Sequence, residues 1–599
     1  MKRSATNNIN TRSKRPCLVT LESTNENRID VSATHTFNYM RNDCLVDVFR
    51  YNHKSFSPKL NSNSVDSKGN SFSDFLMRQG CIFEDTIITK LRDKGFPIIT
   101  VSNKLTDETY KNTIELIRNG TPILHSVPLI NKKDQTRGIA DLVVRSDWIN
   151  KLFTCPPLSD SEVEKNAYRI SKHYHYVVID IKFCTLSLRS DGTHLSNSGN
   201  YPAYKVQLNI YNKALGLIQG YTPSYTFLLG RGWKSVQKGV TFNCNDSFEK
   251  LGRVCFTKFD NNIPKLSLQA VNWVRKVRDP NQVLCLNPPN DELLYPNMCV
   301  DSGKWNKSKT DVAKEIDEIT LVWNVGVRER KKAREKGIKS WRDPKCNSSI
   351  LGFTGKRGKV VDAILDINRS EDAIVMPKAI SGNFLQWKNT KEVFVDFETI
   401  PGVVQDIDKS ENENRIFLIG VGRLVSGIWE YKSFTCSVIC DLEEFRICND
   451  FMEYIKELDY PLIRFWSAEK RFWTAVEQRL FESGELDDDK KETICTCWSK
   501  LSDKGLWTDL CSFFREEPIV VKGCFKFGLK EIAGAMYRHN LINTRLTEEC
   551  DCGLSAMLMA VEYYKSKNAS VLGKIVRYNE FDCKVMYDMI DYLRLNHVN

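Results

Sequence analysis

Tyr176-Val-Val-Ile-Asp-Ile-Lys-Phe-Cys184 decides how the first part of the chain folds, and Phe394-Val-Asp-Phe-Glu-Thr399 does the same for the last. Both runs are rich in β-branched and aromatic residues and read as strands. Strand residues i and i+2 face the same way. Asp180 and Lys182 therefore emerge together, as do Asp396 and Glu398, while Val395 and Phe397 turn to the opposite face. Burying charge in such a strand is costly unless it meets an opposite charge or a metal. A structural ion pair is the plain alternative for Asp180 and Lys182. A solvated edge strand is the alternative for Asp396 and Glu398.

Around the first strand the pattern is α/β. Residues 75–92 carry apolar positions at helical spacing, with Glu84 among them. Gly138-Ile-Ala-Asp141 opens a strand over 139–144, 206–218 is helical with Gln207 and Tyr211 one turn apart, and 224–229 is a strand. Residues 53–74 and 186–201 are Ser/Asn-rich loops. Around the second strand, 416–422 and 428–434 complete a three-strand meander, and 462–466 is a further strand. Glu469 sits in the first turn of the following helix, where a carboxylate is favourable. Thr508-Asp509-Leu510 reads as another strand, the charged stretch 483–505 as a surface excursion, and Tyr578-Asn-Glu-Phe-Asp582 leads into a helix over 583–593.

Between these parts the chain is basic. Residues 326–359 hold twelve Lys/Arg against three acids, most of the formal net charge of +11. Such a surplus favours a polyanionic partner, with a solvated basic face as the alternative. Residues 311–323 read as a helix, Asn324–Gly326 as a turn, and a very basic helix follows. The segment resembles a helix–hairpin–helix, which grips phosphates through backbone amides without reading sequence. Lys331, Lys332, Arg334 and Lys336 are its candidate phosphate contacts, whereas Trp323 and Trp341 read as core.

The ordered set Glu84, Asp141, Asp180-x-Lys182 and Gln207-x-x-x-Tyr211 resembles the RecB-like branch of the PD-(D/E)xK nucleases. That resemblance implies that Asp141 and Asp180 ligate metal, Glu84 supports it, Lys182 is catalytic, and Gln207 and Tyr211 contact substrate. The order Asp396-x-Glu398, Glu469, then Tyr578-x-x-x-Asp582 resembles the RNase H-like (YprB-type) DEDD exonucleases of the tyrosine subclass. There the four acids hold two metal ions and the tyrosine positions water. Phe527-Gly-Leu-Lys530 resembles that family's helix start beside the site. The family's second motif usually carries aspartate. Here Glu469 stands there, with Asp509 as an auxiliary acid or as the alternative ligand.

The chain is thus expected to be α/β: a disordered basic arm over 1–31, a restriction-endonuclease-like domain over 32–240, a mainly helical connector over 241–385, and an RNase H-like domain over 386–599. The implied chemistry is Mg²⁺- or Mn²⁺-dependent hydrolysis of DNA or RNA. A nucleic-acid-binding scaffold with inactive sites is the second reading. Lys2-Arg3 and Lys14-Arg15 read as a bipartite nuclear-import signal or as a plain electrostatic tail, in a protein of the cytoplasm or nucleus. The twenty cysteines include no CxxC, so free thiols are expected. Cys44, Cys244, Cys255, Cys285 and Cys299 are too spread for an iron–sulfur cluster. No apolar run approaches the ~20 residues that cross a bilayer, so no membrane partner is expected.

Overall fold

A computed structural model describes residues 30–51, 72–380, 391–401, 414–498, 501, 505–545 and 553–597. Most of the expected basic arm, most of the 53–74 loop and the Cys550/Cys552 pair lie outside the described residues. The chain separates into two compact units, Met1–Leu284 and Cys285–Asn599. Both are mixed α/β.

The first unit is built on a seven-stranded sheet. In chain order its principal elements are α1 (Phe72–Asp93), β1 (Ile98–Thr100), β2 (Ile123–Asn131), β3 (Thr136–Arg145), β4 (Tyr176–Ile181), α2 (Tyr201–Gln219), β5 (Tyr225–Leu229), β6 (Gly252–Cys255) and α3 (Ile263–Arg278). The strand order is β6-β5-β4-β3-β2-β1, and Val31–Ser32 pairs alongside the start of β3. β2, β3 and β4 form an antiparallel meander. The crossover through α2 brings β5 in parallel to β4. Every residue of β4 is buried, as a strand covered on both faces must be. α2 starts with Pro202 in its first turn, and its C-cap Gly220 takes the left-handed conformation that favours glycine. The 98–131 stretch supplies two strands that the sequence reading leaves unassigned.

In the second unit a five-stranded sheet comprises β7 (Glu392–Pro401), β8 (Asn414–Val425), β9 (Ile428–Thr435), β10 (Leu462–Phe465) and β11 (Trp507–Asp509). Its order is β9-β8-β7-β10-β11. The first three strands form the expected antiparallel meander, and β7, β10 and β11 run parallel. The helices that matter to the site are α4 (Val327–Glu335), α5 (Gly355–Arg369), α6 (Asp441–Glu457), α7 (Glu469–Glu482), α8 (Leu510–Glu516), α9 (Leu529–Arg538), α10 (Gly553–Ser566) and α11 (Ala569–Asn596). Phe397 meets Phe451 of α6 and Trp473 of α7, whereas Phe394 meets Tyr587 of α11. The alternation expected along β7 is therefore realised, with Asp396 and Glu398 on the α11 side.

The stretch expected to be a separate connector is shared between the units. β6 and α3 belong to the first. Ile319, Val325, Trp341, Val361 and Leu365 share one core with Phe514, Met536 and Met589 of the second. Trp341 is buried, and Trp323 packs against the same core edge-on to Phe527. Three local expectations are corrected. The helix placed at 311–323 spans Asn306–Glu315 and stops where Asp317 adopts a positive φ of 50°, before a single 3₁₀ turn at Ile319–Leu321. The helix placed at 583–593 is α11, which begins 14 residues earlier at Ala569. The 483–505 excursion buries Leu486, Ile494, Trp498 and Leu501 behind its charged residues. Trp498 is fully buried, with its ring 5.3 Å from Phe445 and 5.1 Å from Trp473. Trp498→Ala is expected to destabilise the second unit by about 3–5 kcal/mol. Denaturant unfolding followed by circular dichroism checks this, and a loss below about 1 kcal/mol would return the segment to the surface.

Candidate metal centres

The antiparallel register Leu142↔Ile179, continued by one pair, sets Asp141 opposite Asp180 at the point where β3 and β4 part. Lys182 Nζ lies 2.5 Å from Asp180 Oδ2 and 3.7 Å from Asp141 Oδ2. It also donates to the Ile181 carbonyl at 3.2 Å. Asp141 Oδ2 in turn accepts from the Ile181 amide at 2.6 Å. From α2, Gln207 Nε2 donates to the Tyr211 hydroxyl at 2.9 Å and reaches Asp180 Oδ1 at 3.5 Å. Gly138 leaves room for this helix, because a Cβ there would stand 2.4 Å from the Tyr211 ring.

Burial pushes the Asp180 carboxyl well above the usual carboxylate range, and the Asp141 charge adds to this against the pull of Lys182. Burial opposes the Lys182 ammonium, but Asp180 and Asp141 outweigh it and hold the lysine protonated. Burial, then the same two carboxylates, raises the Tyr211 phenol. Asp141, Asp180, Lys182, Gln207 and Tyr211 thus form one contact set. Glu84 is held elsewhere: its Oε1 pairs with His125 Nε2 at 3.0 Å, and His125 Nδ1 meets Thr100 Oγ1 at 3.1 Å. The sequence reading missed His125. Its signal is a lone imidazole inside the apolar run of β2.

In the second unit, β7 carries Asp396 and Glu398, and a register shift at Glu398/Thr399 bends the strand beside them. Glu469 opens α7, with Oε2 accepting from the Ala468 amide at 3.1 Å. α11 contributes Tyr578 and Asp582. Glu398, Glu469 and Asp582 are at most 5% exposed. Burial raises Asp396 well above its usual range, followed by the charges of Glu398, Asp582 and Glu469. Burial and then Asp582 push Glu398 up to about 8. Burial, with Asp509 and Glu398 adding to it, takes Glu469 up to about 8. Burial lifts Asp582 to about 6, with Lys530 and the Tyr578 hydroxyl opposing. Lys530 Nζ sits 3.7 Å from the centre of the Tyr578 ring. Burial and Asp582 raise the Tyr578 phenol.

Asp509 has structural work. Its Oδ1 accepts from the Ser467 and Ser512 amides at 3.1 and 3.0 Å, and its Oδ2 from the Ser512 hydroxyl at 2.6 Å. It is the N-cap of α8. On α4 Lys331 is exposed and Lys332 half-buried, and Lys336, the residue that follows the helix, is exposed. Arg334 turns inward, pairing with Glu292 and lying over Tyr295. The helix start is capped by its own Glu329, which accepts from the Gly326 amide at 3.1 Å.

Among the described residues, no three His, Cys, Asp or Glu side chains are arranged to hold a metal ion as they stand. In the first set the Lys182 ammonium occupies the focus of three oxygens, from Asp180, Asp141 and Ile181. In the second set Glu398 Oε1 and Asp582 Oδ1 are buried without a hydrogen-bond partner. Orphaned carboxylate oxygens, one from β7 and one from α11, are hard donors, the kind that Mg²⁺ or Mn²⁺ takes. The chain matches no protein-family model, no curated protein and no solved structure.

The raised carboxyls fix a pH dependence. A carboxyl with a higher pKa folded than unfolded contributes stability that is present below the unfolded value and lost as pH rises through the folded one. For Glu398 and Glu469 the window runs from the ordinary 4.5 to about 8. The thermal midpoint of metal-free protein is expected to fall across that window, and Glu398→Gln should flatten the fall. A midpoint that climbs through the window in EDTA contradicts the electrostatics described.

Proposed function

We propose that the chain is a divalent-metal-dependent nuclease that hydrolyses phosphodiester bonds of DNA or RNA at two separate carboxylate sites. One observation carries the reading: in each unit acids on the sheet lie beneath a covering helix, Asp141 and Asp180 under α2 and Asp396 and Glu398 under α11, with Asp180 and Glu398 buried. The resemblances to RecB-like and RNase H-like nucleases lie on these same residues, and the α/β architecture of both units supports them.

Bound Mg²⁺ or Mn²⁺ would supply Lewis-acid stabilisation of the phosphoryl oxygens and acidify the attacking water. In the first site Asp141 and Asp180 would hold it. Lys182, just past the end of β4, would stabilise charge developing on phosphate. Gln207 and Tyr211 buttress Asp180 from α2, whereas Glu84 on α1 stays paired with His125 outside this contact set. In the second site Asp396, Glu398, Glu469 and Asp582 would hold the metal, and the Tyr578 hydroxyl orients water. Asp509 positions the turn before Glu469 through the Ser467 amide. Lys331, Lys332 and Lys336 supply phosphate contacts, while Arg334 is committed to Glu292.

Digestion of labelled single- and double-stranded DNA and RNA with Mn²⁺ tests the proposal. Lys182→Ala should slow cleavage at the first site by about 10²–10³-fold. Asp396→Asn should silence the second, and Asp180→Asn with Asp396→Asn should leave no cleavage. Wild-type digestion by that double variant would sink the assignment. A scaffold with inactive sites is the reading favoured by the lysine already seated between Asp141 and Asp180. It predicts binding without cleavage by the wild-type chain. Replacing Lys331, Lys332 and Lys336 with Glu should weaken binding and flatten its dependence on salt. Equal affinity at every salt concentration removes the helix from the interface.

A further inference from the structure

The second acid set has a neutral side chain at its base that neither sequence motif includes. Asn579 lies on α11 between Tyr578 and Asp582 and is fully buried. Its Nδ2 donates twice to the same residue, to Asp396 Oδ2 at 2.7 Å and to the Asp396 carbonyl at 3.1 Å. Its Oδ1 is engaged in turn, accepting from the Tyr431 hydroxyl on β9 at 2.9 Å. All three contacts need α11 to approach the sheet closely, and Gly420 permits it beside Asp396. Gly420 is the cross-strand partner of Asp396. A Cβ on Gly420 would stand 1.6 Å from Asn579 Oδ1 and 2.8 Å from the Tyr431 hydroxyl. Any other residue at 420 would push the amide away from Asp396.

We infer that Asn579, oriented by Tyr431 and admitted by Gly420, is a positioning residue that fixes Asp396 for metal binding in the second site. The inference rests on the metal reading of that site. The geometry gives the reason for an amide here. A carboxylate left free among Glu398, Glu469 and Asp582 turns away from its neighbours, because like charges repel. A lysine would hold it but would also neutralise the site and compete with the incoming ion. The Asn579 amide holds it without adding charge. One Asp396 oxygen and the strand carbonyl are fixed together, so both the rotamer and the height of β7 beneath α11 are set before the ion arrives. Tyr431 leaves Asn579 one orientation only, because its hydroxyl satisfies Oδ1 and keeps Nδ2 toward Asp396.

The test uses the full chain with Asp141→Asn and Asp180→Asn, so that remaining Mn²⁺ binding reports the second site. Binding is followed by the electron paramagnetic resonance signal of free Mn²⁺, with the thermal midpoint in EDTA as the control for folding. In this background Asp396→Asn is expected to abolish binding. If binding survives that change, the metal reading of the second site fails and the inference falls with it. With that control in place, Asn579→Leu is expected to weaken Mn²⁺ binding by about 10–100-fold, the usual cost of losing a partner behind a ligand. Binding equal to the background overturns the inference while leaving the metal site intact. If Asn579→Leu does not fold, Tyr431→Phe decides by the same measurement. Weaker Mn²⁺ binding with an unchanged EDTA midpoint supports the inference, and unchanged binding overturns it.

Discussion

Repulsion between carboxylates that share a dry space is the constraint from which the rest of this molecule follows. Neither Glu398 nor Asp180 could be buried as a lone anion without a penalty of several kcal/mol. Each unit meets that constraint differently. In the first, Lys182, one residue past the end of β4, sets a single compensating charge against Asp180 and Asp141. In the second, the compensation is partial: Lys530 and an amide face four acids, and two carboxylate oxygens are left without partners. The surrounding folds serve these arrangements. Apolar strands carry the acids inward, and α2 and α11 close over them at glycines that let a helix lie unusually near.

The two covering helices use one device in different chemical dress. On α2, Gln207 and Tyr211 meet each other and reach Asp180. On α11, Asn579 joins Asp396 to Tyr431. Both place a neutral donor against the acid at the centre of its set. The close approach in each depends on a residue without a side chain, Gly138 under Tyr211 and Gly420 under Asn579. The glycines therefore belong to the site as much as the acids do, though neither carries a functional group.

Period-2 patterning was enough to read both acid-bearing strands, because an apolar run interrupted by charge at i and i+2 has only one face to offer. The 414–435 hairpin and the start of α7 at Glu469 were legible for similar local reasons. What stayed hidden depended on partners distant in sequence. β2 reads as an undistinguished apolar run until β3 pairs with it, and with it went His125. Trp498 lies among acids and lysines whose charge masks an inward-facing tryptophan. The early start of α11 at Ala569 stayed hidden because Tyr578 to Asp582 reads as the approach to a helix, whereas those residues lie within it. Arg334 looked like part of a uniform basic face, and only the fold reveals Glu292 and Tyr295 beside it. Asn579 carried no signal of its own, since an amide next to a tyrosine acquires meaning only when Gly420 is opposite.

The lysine seated among three oxygens of the first site has a consequence for ion choice. A tethered ammonium does not diffuse away, so any newcomer contends with a rival held at high effective concentration. Sodium or potassium would exchange one positive charge for another and gain little. A doubly charged ion would offer twice the attraction to the two carboxylates that Lys182 now faces. On the proposed metal reading, discrimination by valence would act before ion radius or coordination number.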